Sequence, residues 1–131
     1  MKIVYPLVKM SNNFHKIARQ EIQEELDSLK QILLQCNNDN DISRNGNKIE
    51  KHLHKIKGLA PMMEQNNVGE IAKLNDIILR HIIENGMLSG TYQIINESIH
   101  MMQEIFNDTN KKNIDEFKIK IQNTFPHIFN Q

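Results

Sequence analysis

The segment KIEKHLHKIKGLAPMM, Lys48 to Met63, concentrates the residues best suited to chemistry. His52 and His54 stand two apart; Lys57 follows His54 by three residues and Gly58 by four, Glu50 precedes it by four, and Pro61 lies seven beyond. A neutral, solvent-facing imidazole is nucleophilic through the ring nitrogen that lacks a proton, and it can carry a phosphoryl group reversibly near neutral pH. A lysine one turn away supplies a mobile positive charge for the phosphoryl oxygens. A glycine at the next step leaves bare backbone where another protein's active site would approach, which gives a reason for a residue that costs a helix about 1 kcal/mol relative to alanine. The plainer reading makes His54 one of six histidines on a solvated face, Lys57 a solvated charge and Gly58 drift.

These side chains need a helix to bring them together. With Ile49 at the origin of a wheel of about 100° per residue, Leu53, Ile56, Ala60 and Met63 fall within roughly 40° of it and form the core-facing stripe. His54 then lies at roughly 140°, sharing one solvent edge with Glu50, Lys57, Gly58 and Pro61, whereas His52 lies at roughly 300°, at the border of the core. This divergence removes the metal reading of His-Leu-His, because two ligands for one tetrahedral ion belong on one helix face at spacings of three or four. No metal ion is expected.

Similar stripes recur along the chain. Phe14, Ile17, Ala18, Ile22, Leu26, Leu29, Ile32 and Leu33 mark a long first helix from about Asn13; NNDNDISRNGN breaks it, and Ile49 to Met63 makes the second. Val68, Ile71, Ala72, Ile78 and Ile82 mark a third helix ending at Asn85-Gly86. Ile94, Ile95, Ile99, Met102 and Ile105 or Phe106 mark a fourth, from about Tyr92 to Phe106, and a fifth runs from about Ile114 to Phe125, closed by Pro126. The expected fold is all-α: an antiparallel up-and-down four-helix bundle with an additional C-terminal helix. Residues 1–12 are expected as an N-terminal arm, extended on the body or disordered, residues 13–126 as the bundle and residues 127–131 as a tail.

Charge and composition narrow the function classes. Sixteen basic and sixteen acidic side chains cancel and are interspersed, which points away from nucleic acid and from an anionic membrane. Cys36 is the single cysteine, so no internal disulfide is possible, and MKIVYPLVKMSNN is too short and too interrupted for a signal peptide or spanning helix. A cytoplasmic monomer is expected.

The residues His54 to Ala60, HKIKGLA, match the signature H-x-x-K-G-x-A, and the chain resembles histidine phosphotransfer domains, most of all the N-terminal phosphotransfer domain of CheA-type chemotaxis histidine kinases. A first helix patterned like EIQEELDSLKQILL and a fourth like QIINESIHMMQEIF add to the resemblance, which runs from about Phe14 to Phe125. It implies that His54 is the phosphoacceptor and Lys57 the phosphate-proximal lysine. Glu50, Gly58 and Pro61 then border the docking site of a response regulator, with Gly58 beneath it. Asp76 falls where the family places a glutamate or glutamine that bonds the inner ring nitrogen; its other reading is an intrahelical pair with Arg80, worth a few tenths of a kcal/mol. Two departures stand out: Lys73 occupies the place of a second histidine common in chemotaxis members, and Pro61 should bend the helix one turn past the site.

The expected function is therefore a phosphoryl carrier in a two-component relay, chemotaxis-like. A histidine kinase catalytic domain phosphorylates His54, and the receiver domain of a response regulator takes the group onto an aspartate. No glycine-rich phosphate loop is present, so no ATP site or cofactor is expected and kinase activity would lie in another chain or another part of a longer kinase. The competing class is a non-catalytic helical adaptor. A metal-binding bundle enzyme would need inward Glu-x-x-His pairs on facing helices; Glu97 and His100 supply one and no second appears.

Overall fold

The computed structural model describes the backbone of residues 4–108 and 113–130, and the side chains from Asn13 onward. Every regular element among these residues is helical: α1 Val4–Leu34, α2 Asp39–Arg44, α3 Gly46–Leu59, a 3₁₀ turn Pro61–Met63, α4 Asn66–Asn85, α5 Thr91–Asn107, α6 Asp115–Thr124 and α7 Pro126–Phe129. α1 packs on α3, α3 on α4, α4 on α5 and α5 on α1, so these four form a ring of neighbours around one core, and α6 lies against α4. None of the helices among the described residues is long and apolar enough to cross a membrane.

The core is built from the anticipated stripes. Ile22, Leu26 and Leu29 of α1, Ile49, Leu53 and Ile56 of α3, and Ile71, Ile78 and Leu79 of α4 are fully buried, and Ile95, Ile99 and Met102 of α5 nearly or wholly so. These are i, i+3/i+4 repeats whose burial carries most of the folding free energy, about 1.5–3 kcal/mol for each large aliphatic side chain removed from water. Four expected members stay nearer the surface: Ile17 is 56% exposed, and Phe14, Ile32 and Met63 are only half-buried. Ile17 precedes Ala18 by one position and so points about 100° away from it, off the buried stripe of Ala18, Ile22, Leu26 and Leu29.

Four boundaries differ from the sequence expectation. Helix α1 starts at Val4 rather than about Asn13, taking in most of the expected arm; Pro6 falls in its first turn, where an amide would lack an intrahelical acceptor in any case. Residues 1–3 of that arm, like 109–112 of the turn before α6, lie outside the described residues. The stretch expected as a plain break contains α2: Asn38 caps it by accepting from the Asp41 amide at 2.9 Å, and Ile42 is fully buried beneath it. Helix α3 ends at Leu59, because Pro61 has no amide for the Lys57 carbonyl, and the chain turns through Pro61–Met63 to Glu64 at φ 60°. Residues 127–129 of the expected tail continue as α7, with Ile128 and Phe129 packed against the core.

One contact joins distant parts of the chain. The residue before α5, Gly90, offers no capping side chain, and Asp39 of α2 serves instead: its carboxylate accepts from the amides of Gly90 at 2.9 Å and Tyr92 at 2.8 Å. A carboxylate at a helix N-terminus satisfies orphan amides and meets the positive end of the helix dipole. Asp39→Ala should therefore lower stability by about 1–2 kcal/mol in denaturant unfolding, and Asp39→Asn, which keeps an acceptor oxygen, by less. Equal stability of all three proteins would show that α5 needs no cap from α2.

Candidate functional site

Helices α3 and α4 share the most extensive contact among the described residues, and their facing polar edges meet at one buried acid. Asp76 of α4 is 1% exposed. Its Oδ2 accepts from Lys57 Nζ of α3 at 2.9 Å and lies 3.2 Å from Arg80 Nη2, one turn along α4. Lys57 is pulled inward to reach it, whereas His54, one turn earlier on α3, keeps 57% of its side chain exposed. The ring presents Nδ1 to the cluster: Arg80 Nη2 is 3.3 Å away, Asp76 Oδ2 3.8 Å and Glu50 Oε2 3.9 Å. Nε2 has no polar partner among the described residues.

The sequence-derived residues thus converge with one change of bonding. His54, Lys57, Glu50 and Asp76 share a site. At 3.8 Å, however, Asp76 does not bond the ring, and the expected orienting hydrogen bond is absent in this state. Both readings of Asp76 hold in part: it pairs with Arg80 as i, i+4 spacing suggests, and it stands beside His54 as the resemblance implies. Arg80, which the sequence reading treated only as a partner of Asp76, is the nearest group to Nδ1. An arginine only donates, so in this arrangement Nδ1 accepts and the proton of a neutral ring sits on Nε2.

The two acids are not equivalent. A hydrogen bond to Asp76 first, then burial and the Asp76 charge, raise the Glu50 carboxyl above its ordinary value. Burial alone would raise Asp76 as well, but hydrogen bonds from Glu50 and Lys57 and the charges of Lys57 and Arg80 outweigh it, and Asp76 ends below its ordinary value. A proton entering the pair therefore goes to Glu50, and Asp76 holds the negative charge.

Glu50, His54 and Asp76 could each offer one atom to a metal ion, all within 4.8 Å of one another. Lys57 and Arg80, both on Asp76 Oδ2, already offset its charge and lessen the attraction of the set for a divalent ion. The other pair considered from sequence, Glu97 and His100, faces outward: Glu97 accepts from Lys120 at 2.8 Å, and the His100 side chain is 79% exposed.

Around His54 the surface is open. An added Cβ at Gly58 would meet nothing within 4 Å, and Pro61 is exposed. A groove of about 600 Å³ runs from His54 past Gly58, Leu59 and Met62 to Glu21 and Glu24 of α1. The contribution of α1 was not foreseen; its acids are at solvent-facing positions, and the one signal in the sequence was the acidic run of that helix.

No family model, curated protein or solved structure matches the chain. The acid pair has a measurable consequence. Because folding lowers the pKa of Asp76, its contribution to stability is complete near neutral pH and is lost as pH falls below about 4 towards the lower folded value. Glu50, raised on folding, contributes in the opposite sense, at low pH and fading as pH rises through the carboxylate range. Asp76→Asn should thus be less stable than the parent near neutral pH, by about 1–3 kcal/mol given that its cationic partners are partly exposed, and its acid limb should be flatter. Parallel curves of urea midpoint against pH for the two proteins would remove Asp76 as the charged member.

Proposed function

We propose that this protein is a phosphoryl carrier, with His54 as acceptor, in a cytoplasmic two-component relay. Its four ring-forming helices are read as an antiparallel up-and-down bundle, a histidine phosphotransfer domain like those of chemotaxis kinases. The observation that carries the proposal is a half-exposed imidazole whose Nδ1 faces a buried, charge-stabilised carboxylate, with a lysine one turn away and bare backbone at Gly58.

Transfer needs Nε2 free of its proton. Arg80, with a side chain more than half exposed, moves off Nδ1; the ring proton then sits on Nδ1 facing Asp76 and Glu50, and Nε2 becomes the nucleophile. Nε2 attacks the γ-phosphorus of ATP held by a kinase, the bond to the bridging oxygen breaks, and ADP leaves. In the second step an aspartate oxygen of a receiver domain attacks the phosphorus, the P–N bond breaks, and its electron pair returns to Nε2. Lys57 and the displaced Arg80 offset the phosphoryl charge in both steps. The domain provides position and charge, and the ATP site belongs to its partner.

An adaptor that binds a signalling protein without being phosphorylated is the second reading. The groove of Leu59, Met62, Glu21 and Glu24 beside His54 favours it.

Incubation with a histidine kinase catalytic domain and ATP separates the two. Acid-labile, base-stable phosphate should appear on His54 and be absent from His54→Gln; a folded parent that takes no label is an adaptor. Gly58 supplies a second check. Gly58→Ala should stabilise the domain by up to about 1 kcal/mol, since the new methyl is unopposed. Gly58→Gln should keep helicity yet slow transfer to a receiver domain, because in-line displacement requires close approach. Transfer at the parental rate, or loss of fold, would show that the glycine serves something other than docking.

A further inference from the structure

The run HLHKIK contains the spacing His-x-x-Lys twice, as His54 with Lys57 and as His52 with Lys55. The two histidines leave α3 in different directions. His54 meets α4; His52 meets α1, where its Nδ1 lies 2.5 Å from Glu25 Oε1 and Lys55 Nζ lies 3.7 Å from the other oxygen of the same carboxylate. The contact is sheltered, with the imidazole 22% and the carboxylate 15% exposed.

A short contact to an ionised carboxylate fixes the ring: Nδ1 must hold a proton to donate, and in the neutral ring Nε2 is then bare. This is the form an attacking imidazole needs, and in this state His52 has it while His54, bonded from Arg80, does not. Nε2 of His52 has no polar partner among the described residues. The ring lines a groove of about 550 Å³ together with Lys48, Lys51, Ser28, Gln31 and Asn47, two ammonium groups and several neutral donors suited to the oxygens of a phosphate. The ring itself is less accessible than that of His54, 22% against 57% exposed, and no glycine follows His52 at the next turn.

We propose that His52 is a second phosphoryl acceptor, served by small phosphoryl donors such as acyl phosphates and phosphoramidate rather than by another protein. With phosphoramidate, Nε2 attacks phosphorus, the P–N bond of the donor breaks, and ammonia leaves with that electron pair. The ring retains its Nδ1 proton, and Glu25 offsets the imidazolium charge that develops. The reaction is redox-neutral, and its only other product is ammonia. The plainer role for the pair is a tether between α1 and α3, which requires no reactivity at Nε2.

The test uses the His54→Gln chain with potassium phosphoramidate, followed by peptide mapping of base-stable phosphate and ¹⁵N NMR of the imidazoles. The expected result is phosphate on His52 in excess over His81 and His100, a ring protonated on Nδ1, and a labelling rate at least about tenfold lower when Glu25→Gln is added, as follows when a ring loses the partner that fixes its tautomer. Absence of phosphate on His52, an even spread over the histidines, or a rate indifferent to Glu25→Gln in a chain of unchanged helicity would overturn the proposal. Should the Glu25 variant fail to fold, the mapping in the His54→Gln chain decides alone. Kinase-dependent label on His54 is a separate measurement, so either acceptor can fail without the other.

Discussion

Asp76 is a carboxylate buried between two helices, and most of what surrounds His54 follows from the need to neutralise it. An isolated charge at 1% exposure would cost several kcal/mol, so cations must come to it. Lys57 comes from α3 and Arg80 from the next turn of α4. Once Lys57 is drawn inward, the rotation of α3 about its axis is fixed by a polar contact on one edge as well as by Ile49, Leu53 and Ile56 on the other. His54, three residues before Lys57 on the same edge, is thereby set beside the same anion. The placement of the imidazole is in this sense a by-product of charge burial. Its exposure comes from lying one step further round the helix.

The apolar periodicity made the main helices and their inward faces legible, since residues such as Leu53, Ile71, Ile95 and Met102 obey a rule that depends on little beyond local spacing. What the sequence concealed were features set by distant partners. Helix α2 reads as a turn because Asn, Asp, Ser and Arg outnumber its one apolar residue, Ile42, whose burial depends on helices elsewhere in the chain. The convergence of Glu50, His54, Lys57 and Asp76 was legible from a helix wheel and a family-like motif. The bonding within it was not, because the competition between Arg80 and two carboxylates for Nδ1 is decided by distances of a few tenths of an ångström. Pro61 was legible as a stop, and the left-handed turn at Glu64 that follows was not.

The two histidines show how one helix can hold the same side chain in two chemical forms. His52 faces a carboxylate and His54 an arginine, so their neutral rings hold the proton on opposite nitrogens. The difference comes from the nearest partner of each ring, which lies off α3: Glu25 for His52 and Arg80 for His54. It is imposed by α1 on one side and α4 on the other.

The carboxylate of Asp39 has a consequence for the order of assembly. The amides it receives belong to residues 51 and 53 positions later, so the first turn of α5 is completed by a group that cannot be supplied locally. Loop-closure entropy must be met before that contact forms, whereas α3 and α4, adjacent in sequence, can pair early. The capping of α5 thus follows the pairing of α3 with α4, and its loss can open that end of the molecule while the helices that hold His54 stay paired.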